Sequence, residues 1–146
     1  MPGRAGDELL ALPVVVRGIK LGRVVDIFLD RGARRAVGFD VVCRDEARRF
    51  LPLAAVGSSG LELTVSSPLV LLQGADLDFY RSRTVALREL RGVAVLVGGV
   101  PAGELRDVVL APDGELLEVV VEADGRTVHM RYGESVTFGA ARRTAA

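Results

Sequence analysis

The chain repeats its own pattern once at a spacing of 81 residues, and this repeat constrains the fold more than any single residue does. Residues 22–29 align without a gap on residues 103–110, and residues 14–16 align on residues 95–97. In both copies an apolar strand leads through a glycine-bearing turn into the motif Gly-x-Val/Leu-x-Asp, which runs on into a second apolar strand. The Glu-Leu pairs that precede the two copies, Glu8-Leu9 and Glu89-Leu90, also align. A repeat of this length predicts two copies of one small fold.

The size and the apolar content of the chain predict that the two copies pack on each other. Of the 146 residues 49% are hydrophobic. Each copy spans roughly 65–70 residues, a size at which folding buries only about 60% of the unfolded surface. Two separate units of this size would not hide so many apolar side chains. We therefore expect one compact body in which the copies form a pseudo-twofold pair.

The domain boundaries follow from the repeat. The first copy is predicted to span residues 8–74, and the core of the second copy spans residues 93–139, with a lead-in from residue 88. Residues 75–92 connect the copies and have helical character, whereas the tail at 140–146 is predicted to be disordered.

The connecting segment carries signals for a helix start and a helix stop. Asp76 or Thr84 is the expected N-cap, and Gly92 marks the C-terminal end. Phe79 and Tyr80 are two of the seven aromatic residues of the chain. We expect this pair to pack across the two copies, with a groove for a partner as the alternative.

The remaining sequence is predicted to be all-β. Short apolar segments separated by Gly and Asp turns, at spacings of about ten residues, are typical of small β-barrels. Pro52 in the segment 49–53 indicates an edge strand or a bulge. The glycine-rich run 97–103 is interpreted as a hairpin turn rather than a phosphate loop, because no Lys-Ser/Thr follows it and the next element is a strand.

Charge and cysteine content bear on the partner and the compartment. The chain has 19 basic and 19 acidic residues, and this neutrality argues against a nucleic-acid partner. The single Cys43 excludes an intrachain disulfide and fits a reducing compartment. No apolar run approaches the ~18 residues of a membrane span, and no signal-peptide core follows the N-terminus. The sequence therefore predicts a cytoplasmic protein without membrane insertion.

The combination of motifs resembles the PRC-barrel family. Its parts are the box at residues 22–26, the hairpin to residues 37–41, and the segment 50–53 with its Leu-Pro pair. The second copy keeps the box at 103–107 but has His-Met-Arg-Tyr at 129–132 where the Leu-Pro pair falls. The family takes its name from the H subunit of photosynthetic reaction centres, and the fold also forms the C-terminal domain of a ribosome-maturation factor.

The resemblance implies two small PRC-type β-barrels in one bacterial chain, acting as a protein-binding or assembly adaptor without catalysis. It carries over neither a partner nor functional residues, because the matched positions are those that build the fold. The alternative is a ribosome- or RNA-associated maturation factor. The partner is expected to be another protein of unknown identity, and the chain itself to be a monomeric pseudo-dimer or a homodimer.

The residues repeated in the two boxes are interpreted as structural. Asp26 and Asp107 are expected to accept backbone N–H bonds near a turn or strand crossing, with a functional carboxylate pair as the alternative. Gly22 and Gly103 are expected to adopt positive φ where a turn meets the sheet.

The sequence predicts no enzyme, metal site or cofactor. His129 has neither a second His nor a Cys nearby, so a metal site lacks ligands. Cys43 lies beside Arg44, which favours the thiolate, but an ordinary cysteine is the preferred interpretation over a redox sensor. A barrel of this size is filled by its own side chains, which leaves little room for a substrate pocket.

The candidate partner contact consists of two arginine pairs, Arg34-Arg35 and Arg48-Arg49. They are expected to lie near one another across the same hairpin, where the second copy lacks them. A solvated rim is the alternative interpretation.

Overall fold

The computed structural model describes residues 3–32, 34–57 and 60–139, and these residues are mostly β-strand. The all-β prediction is confirmed. The strands are β1 (Arg4–Ala5), β2 (Pro13–Val16), β3 (Ile19–Asp30), β4 (Ala36–Cys43), β5 (Arg48–Pro52), β6 (Leu63–Thr64), β7 (Thr84–Ala86), β8 (Ala94–Val97), β9 (Val100–Leu110), β10 (Leu116–Ala123), β11 (Arg126–Arg131) and β12 (Val136–Phe138). The α-helices are α1 (Gly6–Leu9), α2 (Ala75–Arg83) and α3 (Leu87–Leu90), and single 3₁₀ turns lie at Leu53–Ala55 and Pro68–Val70.

The strands form two sheets with corresponding orders. The first sheet runs β5-β4-β3-β2-β6 with β7 beside β3, and the second runs β11-β10-β9-β8-β12 with β1 beside β9. The sheets differ at their last strands, because β6 is parallel to β2 whereas β12 is antiparallel to β8. Residues 53–62 lead into β6, whereas only residues 132–135 lead into β12. Strand β6 therefore runs opposite to β5, so the longer connection reverses the chain, whereas β12 runs in the same direction as β11.

Each sheet contains a strand that belongs, by position in the chain, to the other half. Strand β1 precedes the whole first sheet but pairs with β9, where Ala5 lies opposite Val109. Strand β7 follows the first sheet's other strands and leads into the second half, yet it pairs with β3, where Ala86 lies opposite Phe28. The repeat offset relates Ala5 to Ala86 and Phe28 to Val109, so the two pairs are equivalent. The halves therefore exchange their lead-in strands reciprocally.

The sheets also meet directly where β4 and β10 begin. The Ala36 N–H donates to the Gly114 carbonyl at 2.7 Å, and the Leu116 N–H donates to the Arg34 carbonyl at 3.0 Å. Between these bonds Arg35 lies opposite Glu115, its counterpart in the second copy. The offset between these counterparts is smaller by one position than the offset between the boxes. The turn closed by the hydrogen bond from the Ala111 N–H to the Glu115 carbonyl is one residue shorter than the turn closed by the bond from the Asp30 N–H to the Arg35 carbonyl.

Buried side chains of both sheets form one contiguous core. Fully buried members include Val14, Ile27 and Leu51 from the first sheet and Val95, Leu105, Val108 and Val119 from the second. Helices α1 and α3 add their leucines to the same cluster. Packing of the two halves on each other therefore agrees with the apolar content of the chain.

The connecting segment is only partly helical. Helix α2 begins after Gly74, so Asp76 lies in its first turn and is not the N-cap. Thr84 is not an N-cap either, because it is the C-cap of α2 and the first residue of β7. Thr84 and Val85 are β-branched, which favours a strand, and they pair with Asp30 and Leu29 of β3. Gly92 follows α3 with φ +88°, which agrees with the predicted stop signal.

Of the aromatic pair of α2, Tyr80 packs on the first sheet, and neither ring packs across the two halves as expected. Tyr80 stacks on Phe50 with ring centroids 4.0 Å apart, and Phe28 completes this cluster. Phe79 remains 50% exposed beneath the Arg83 guanidinium. The reason is that α2 lies beside β5, the end strand of the first sheet. The tail at 140–146 lies outside the described residues.

A first prediction concerns fragments cut between Arg83 and Thr84. The fragment 1–83 lacks β7 and the fragment 84–146 lacks β1, so each exposes a sheet edge and core side chains that the other half covers. We expect each fragment to self-associate or to melt far below the whole chain, and an equimolar mixture to regain the stability of the whole chain. Calorimetry and light scattering measure this, and two monomeric fragments that unfold cooperatively would contradict the shared core.

A second prediction concerns the glycines of the two boxes. Gly103 has φ +143°, as expected, but Gly22 does not have a positive φ. At both positions a Cβ atom would lie 2.4 Å from a carbonyl oxygen of the neighbouring strand, that of Val42 or of Glu122. We expect alanine at either position to lower the free energy of unfolding by more than about 1 kcal/mol.

Gly133 provides the matched control, because a Cβ atom there meets nothing within 4 Å. Gly133→Ala is expected to leave the melting temperature nearly unchanged. Equal melting of Gly22→Ala, Gly103→Ala and the control would show that the close approach of the strands tolerates a side chain.

Candidate interaction surface and the paired aspartates

The four arginines proposed as one contact surface are separated in the structure. Arg34 and Arg35 precede the first residue of β4, whereas Arg48 lies opposite Val42 near its other end. Six strand residues at about 3.3 Å each put the two pairs roughly 20 Å apart. The expectation that they lie together is wrong. Arg34 and Arg35 lie before the start of β4, whereas Arg48 and Arg49 follow the turn at the end of β4, so the two pairs lie at opposite ends of the hairpin.

Arg48 and Arg49 are held by carboxylates of their own hairpin. Arg48 Nη1 lies 2.7 Å from the Asp40 carboxylate, and Arg49 donates two hydrogen bonds to Asp45 at 3.0 and 2.8 Å. The side-chain hydrogen bonds from Arg49 lower the pKa of Asp45 to about 2. These two arginines therefore brace the β4–β5 turn.

Arg34 and Arg35 are more available for a partner. Both are exposed, and their backbone lies in the junction between the sheets. The Arg35 guanidinium is 3.9 Å from the exposed carboxylate of Asp113, and an ion pair so open to solvent contributes little.

Asp26 and Asp107 accept backbone hydrogen bonds, the structural role expected for them. Asp26 Oδ1 accepts from the N–H of Ile27 at 2.9 Å and from the N–H of Arg88 at 3.2 Å. Ile27 lies in the same strand, whereas Arg88 lies in the first turn of α3. The carboxylate of one half therefore caps the helix that leads into the other half.

Asp107 repeats this arrangement in the second sheet. Its carboxylate accepts from the N–H of Val108 at 2.8 Å and from the N–H of Asp7, in the first turn of α1, at 3.0 Å. Asp7 and Arg88 are themselves equivalent positions of the repeat. Both helices begin after an alanine that offers no capping side chain, so the distant carboxylate supplies the missing acceptor.

The two aspartates differ in their surroundings. Burial is the main cause that raises the pKa of Asp26, and the charge of Asp40 adds to it. Asp40 lies directly opposite Asp26 on β4, whereas Val120 lies opposite Asp107 on β10. The aspartate of the first box therefore has a carboxylate directly opposite it, whereas the aspartate of the second box has an apolar residue there.

These carboxylates line a small polar cleft of about 230 Å³. Arg48 and Arg81 approach Asp40 Oδ2 at 2.7 and 3.6 Å, and Arg88 approaches Asp26 at 3.9 Å. Asp40 Oδ1 is buried and has no hydrogen-bond partner among the described residues. Since Arg81 belongs to α2 and Arg88 to α3, the cluster ties the connecting segment to the first sheet.

A second cleft, which the sequence did not indicate, lies between the two sheets. Its volume is about 760 Å³, and its lining is largely apolar, with Phe39 and Leu53 from one half and Leu110 and Pro112 from the other. Arg4 and Glu8 also line it. The barrel-filling argument missed this space because it arises between the halves and not inside either one.

Among the described strands of five residues or more, the end strand β11 is the least covered. Of its six residues five are exposed and Met130 is partly buried. Val128 is 46% exposed although its cross-strand partner Val121 is in the core. The sequence already marked this stretch, because it lacks the Leu-Pro pair of the first copy.

His129 and Cys43 occupy ordinary positions. His129 Nδ1 lies 3.1 Å from Glu118 Oε1 on the exposed face of the β10–β11 hairpin. Cys43 is buried at the end of β4, where water and oxidants reach the thiol poorly. Within residues 3–32, 34–57 and 60–139, no three His, Cys, Asp or Glu side chains are placed to hold a metal ion.

No protein-family model matches the chain, and no curated protein sequence matches it either. Among the described helices none is both long and apolar enough to cross a membrane.

A third prediction concerns Asp26. Asp26→Asn keeps the Oδ1 acceptor and removes the buried charge, so we expect it to be at least as stable as the wild type near neutral pH. Asp26→Ala leaves the N–H groups of Ile27 and Arg88 without an acceptor and is expected to cost about 1–3 kcal/mol. Thermal melting compares the three proteins.

The pH dependence follows from the raised pKa of Asp26. The folded protein holds this proton more tightly than the unfolded chain, so the resulting stabilisation is present below the ordinary value of 3.8 and is lost as the pH rises through the folded value. The advantage of Asp26→Asn should therefore grow from acid to neutral pH. A difference in melting temperature between Asp26→Asn and the wild type that stays the same at every pH would contradict this expectation.

Proposed function

We propose that this chain is a cytoplasmic, non-enzymatic adaptor that binds another protein, built from two PRC-barrel-type modules that arose by internal duplication. The observation that carries the proposal is the exposure of β11 in a chain whose other long strands contribute to the core. An end strand with an uncovered outer edge and mostly exposed side chains is a surface for a partner.

The structure supports the duplicated architecture through equivalent contacts. The two sheet orders correspond strand by strand, and the lead-in strands are exchanged at equivalent registers. The Asp26 and Asp107 contacts are also equivalent. Reciprocal contacts of this kind are those of a symmetric dimer whose subunits have become joined in one chain.

The Arg34-Arg35 pair is a second part of the proposed contact surface. Arg48 and Arg49 are not part of the proposed contact surface, since their guanidinium groups are bound to Asp40 and Asp45.

A fourth prediction tests the binding function with the whole chain as bait in an extract of its native host. We expect a protein partner that re-forms a stoichiometric complex with the chain after both are purified. Arg34→Gln with Arg35→Gln should weaken this complex and leave the melting temperature nearly unchanged. Arg17→Gln with Arg44→Gln is the matched control, because both residues are exposed arginines in turns of the first half, outside the proposed surface.

Two results would overturn the proposal. One is the failure of any captured protein to re-form a complex with the purified chain. The other is a purified chain that carries stoichiometric metal by elemental analysis or a coloured cofactor by absorbance.

A further inference from the structure

The free backbone edge of β11 follows from the geometry of its hairpin. Asp124 and Gly125 form a two-residue turn, and both have positive φ, at +52° and +74°. In such a hairpin the flanking residues Ala123 and Arg126 form a hydrogen-bonded pair, and bonded pairs then alternate along the ladder. The hydrogen bond from the Tyr132 N–H to the Leu117 carbonyl at 2.9 Å agrees with this alternation.

The N–H and C=O groups of Thr127, His129 and Arg131 therefore point away from β10. None of these groups forms a backbone hydrogen bond outside the β10–β11 ladder with any residue that the structure describes. Strand β11 thus presents three donor and acceptor pairs, spaced for one further strand.

The first sheet shows how the equivalent edge is covered. His129 lies opposite Val120, and its counterpart Phe50 lies opposite Asp40. The Phe50 N–H donates to the Leu72 carbonyl at 2.7 Å, and the Leu72 N–H donates to the Phe50 carbonyl at 2.8 Å. Leu72 of the chain itself therefore pairs with β5 through an isolated bridge, and helix α2 packs over the same edge.

Side chains on β11 select the character of a pairing segment. Val128 and Met130 lie on the core face, because they are opposite the buried Val121 and Val119. An added strand therefore needs apolar side chains opposite these two residues.

Arginines flank the apolar positions of β11. Arg126 and Arg131 are exposed, and neither forms an ion pair with any residue in the described ranges. They favour acidic residues at both ends of an added strand. A second copy of β11 would instead bring arginines close to one another, in the manner by which charged edge strands resist self-pairing.

We propose that β11 binds an extended segment of a partner protein by antiparallel strand addition, and that this segment reads acidic-apolar-any-apolar-any-acidic. The apolar residues cover Met130 and Val128, and the acidic residues lie opposite Arg131 and Arg126. The proposal rests on the protein-binding function above and specifies its surface and the chemistry of its partner.

The fifth prediction tests this with a synthetic peptide that contains Glu-Val-Thr-Val-Thr-Glu. We expect binding to the whole chain by fluorescence anisotropy, with amide chemical-shift changes centred on residues 127–131. The same peptide with Lys in place of both Glu should bind about tenfold more weakly or worse. Arg126→Glu with Arg131→Glu should reverse this preference, whereas Arg17→Glu with Arg44→Glu should not.

The backbone is tested by a pair of variants at one position. His129→Ala keeps the outward N–H, whereas His129→Pro removes it without removing a donor from the β10 ladder. We expect the alanine variant to bind the peptide and the proline variant to lose at least about tenfold in affinity. If His129→Pro fails to fold, wild-type chain and a peptide N-methylated at both Thr residues make the same comparison.

Several outcomes would overturn strand addition. They are equal binding by His129→Ala and His129→Pro, equal binding of the N-methylated peptide, shift changes centred elsewhere, or dimerisation of the chain through β11. A native complex that is indifferent to His129→Pro would remove this inference and leave the adaptor function standing. Peptide binding at β11 without any native complex would overturn the adaptor function and leave strand addition at β11 standing.

Discussion

The two halves depend on a hydrogen bond that each sheet makes to the helix of the other. A helix of one turn has N–H groups at its start that need acceptors, and the alanines before α1 and α3 supply none. Asp107 and Asp26 provide these acceptors from the opposite half. Strand exchange and capping are therefore coupled, since pairing of β1 with β9 and of β7 with β3 brings each helix to its carboxylate. The same short helices insert Leu9, Leu87 and Leu90 into the common core.

The sequence predicted the parts of the fold that local periodicity reports. The repeat spacing located the long strands and the glycine-rich hairpin. The exchange was not predictable, because strands of two or three residues have no measurable alternation. Matching Glu-Leu pairs at the two lead-ins indicated that the segment recurs. They contained no information on which sheet it joins, since pairing of this kind is set by long-range packing.

The candidate site was predicted less well, for a related reason. Four arginines in two sequence pairs resemble one basic patch only if the hairpin brings the pairs together. The register of β4 and β5 instead puts them at opposite ends, and Asp40 and Asp45 engage the second pair. Charged residues beside a turn commonly brace it, and their sequence neighbours do not reveal this. The exposed edge of β11 had a weaker signal, the loss of the Leu-Pro pair at 129–132.

The difference between the two end strands follows from how the chain is connected. The segment that joins the halves runs past β5, so Leu72 and α2 cover the first sheet's edge as part of the linkage. In the first sheet this contact uses a buried Phe50, and the equivalent residue of the second sheet is the exposed His129. Strand β11 alternates polar and apolar residues and has arginine at each end. This composition suits an edge that does not pair with a second copy of itself, because the arginines repel one another. Val128 and Met130 still favour pairing with an apolar strand that has acidic residues at its ends.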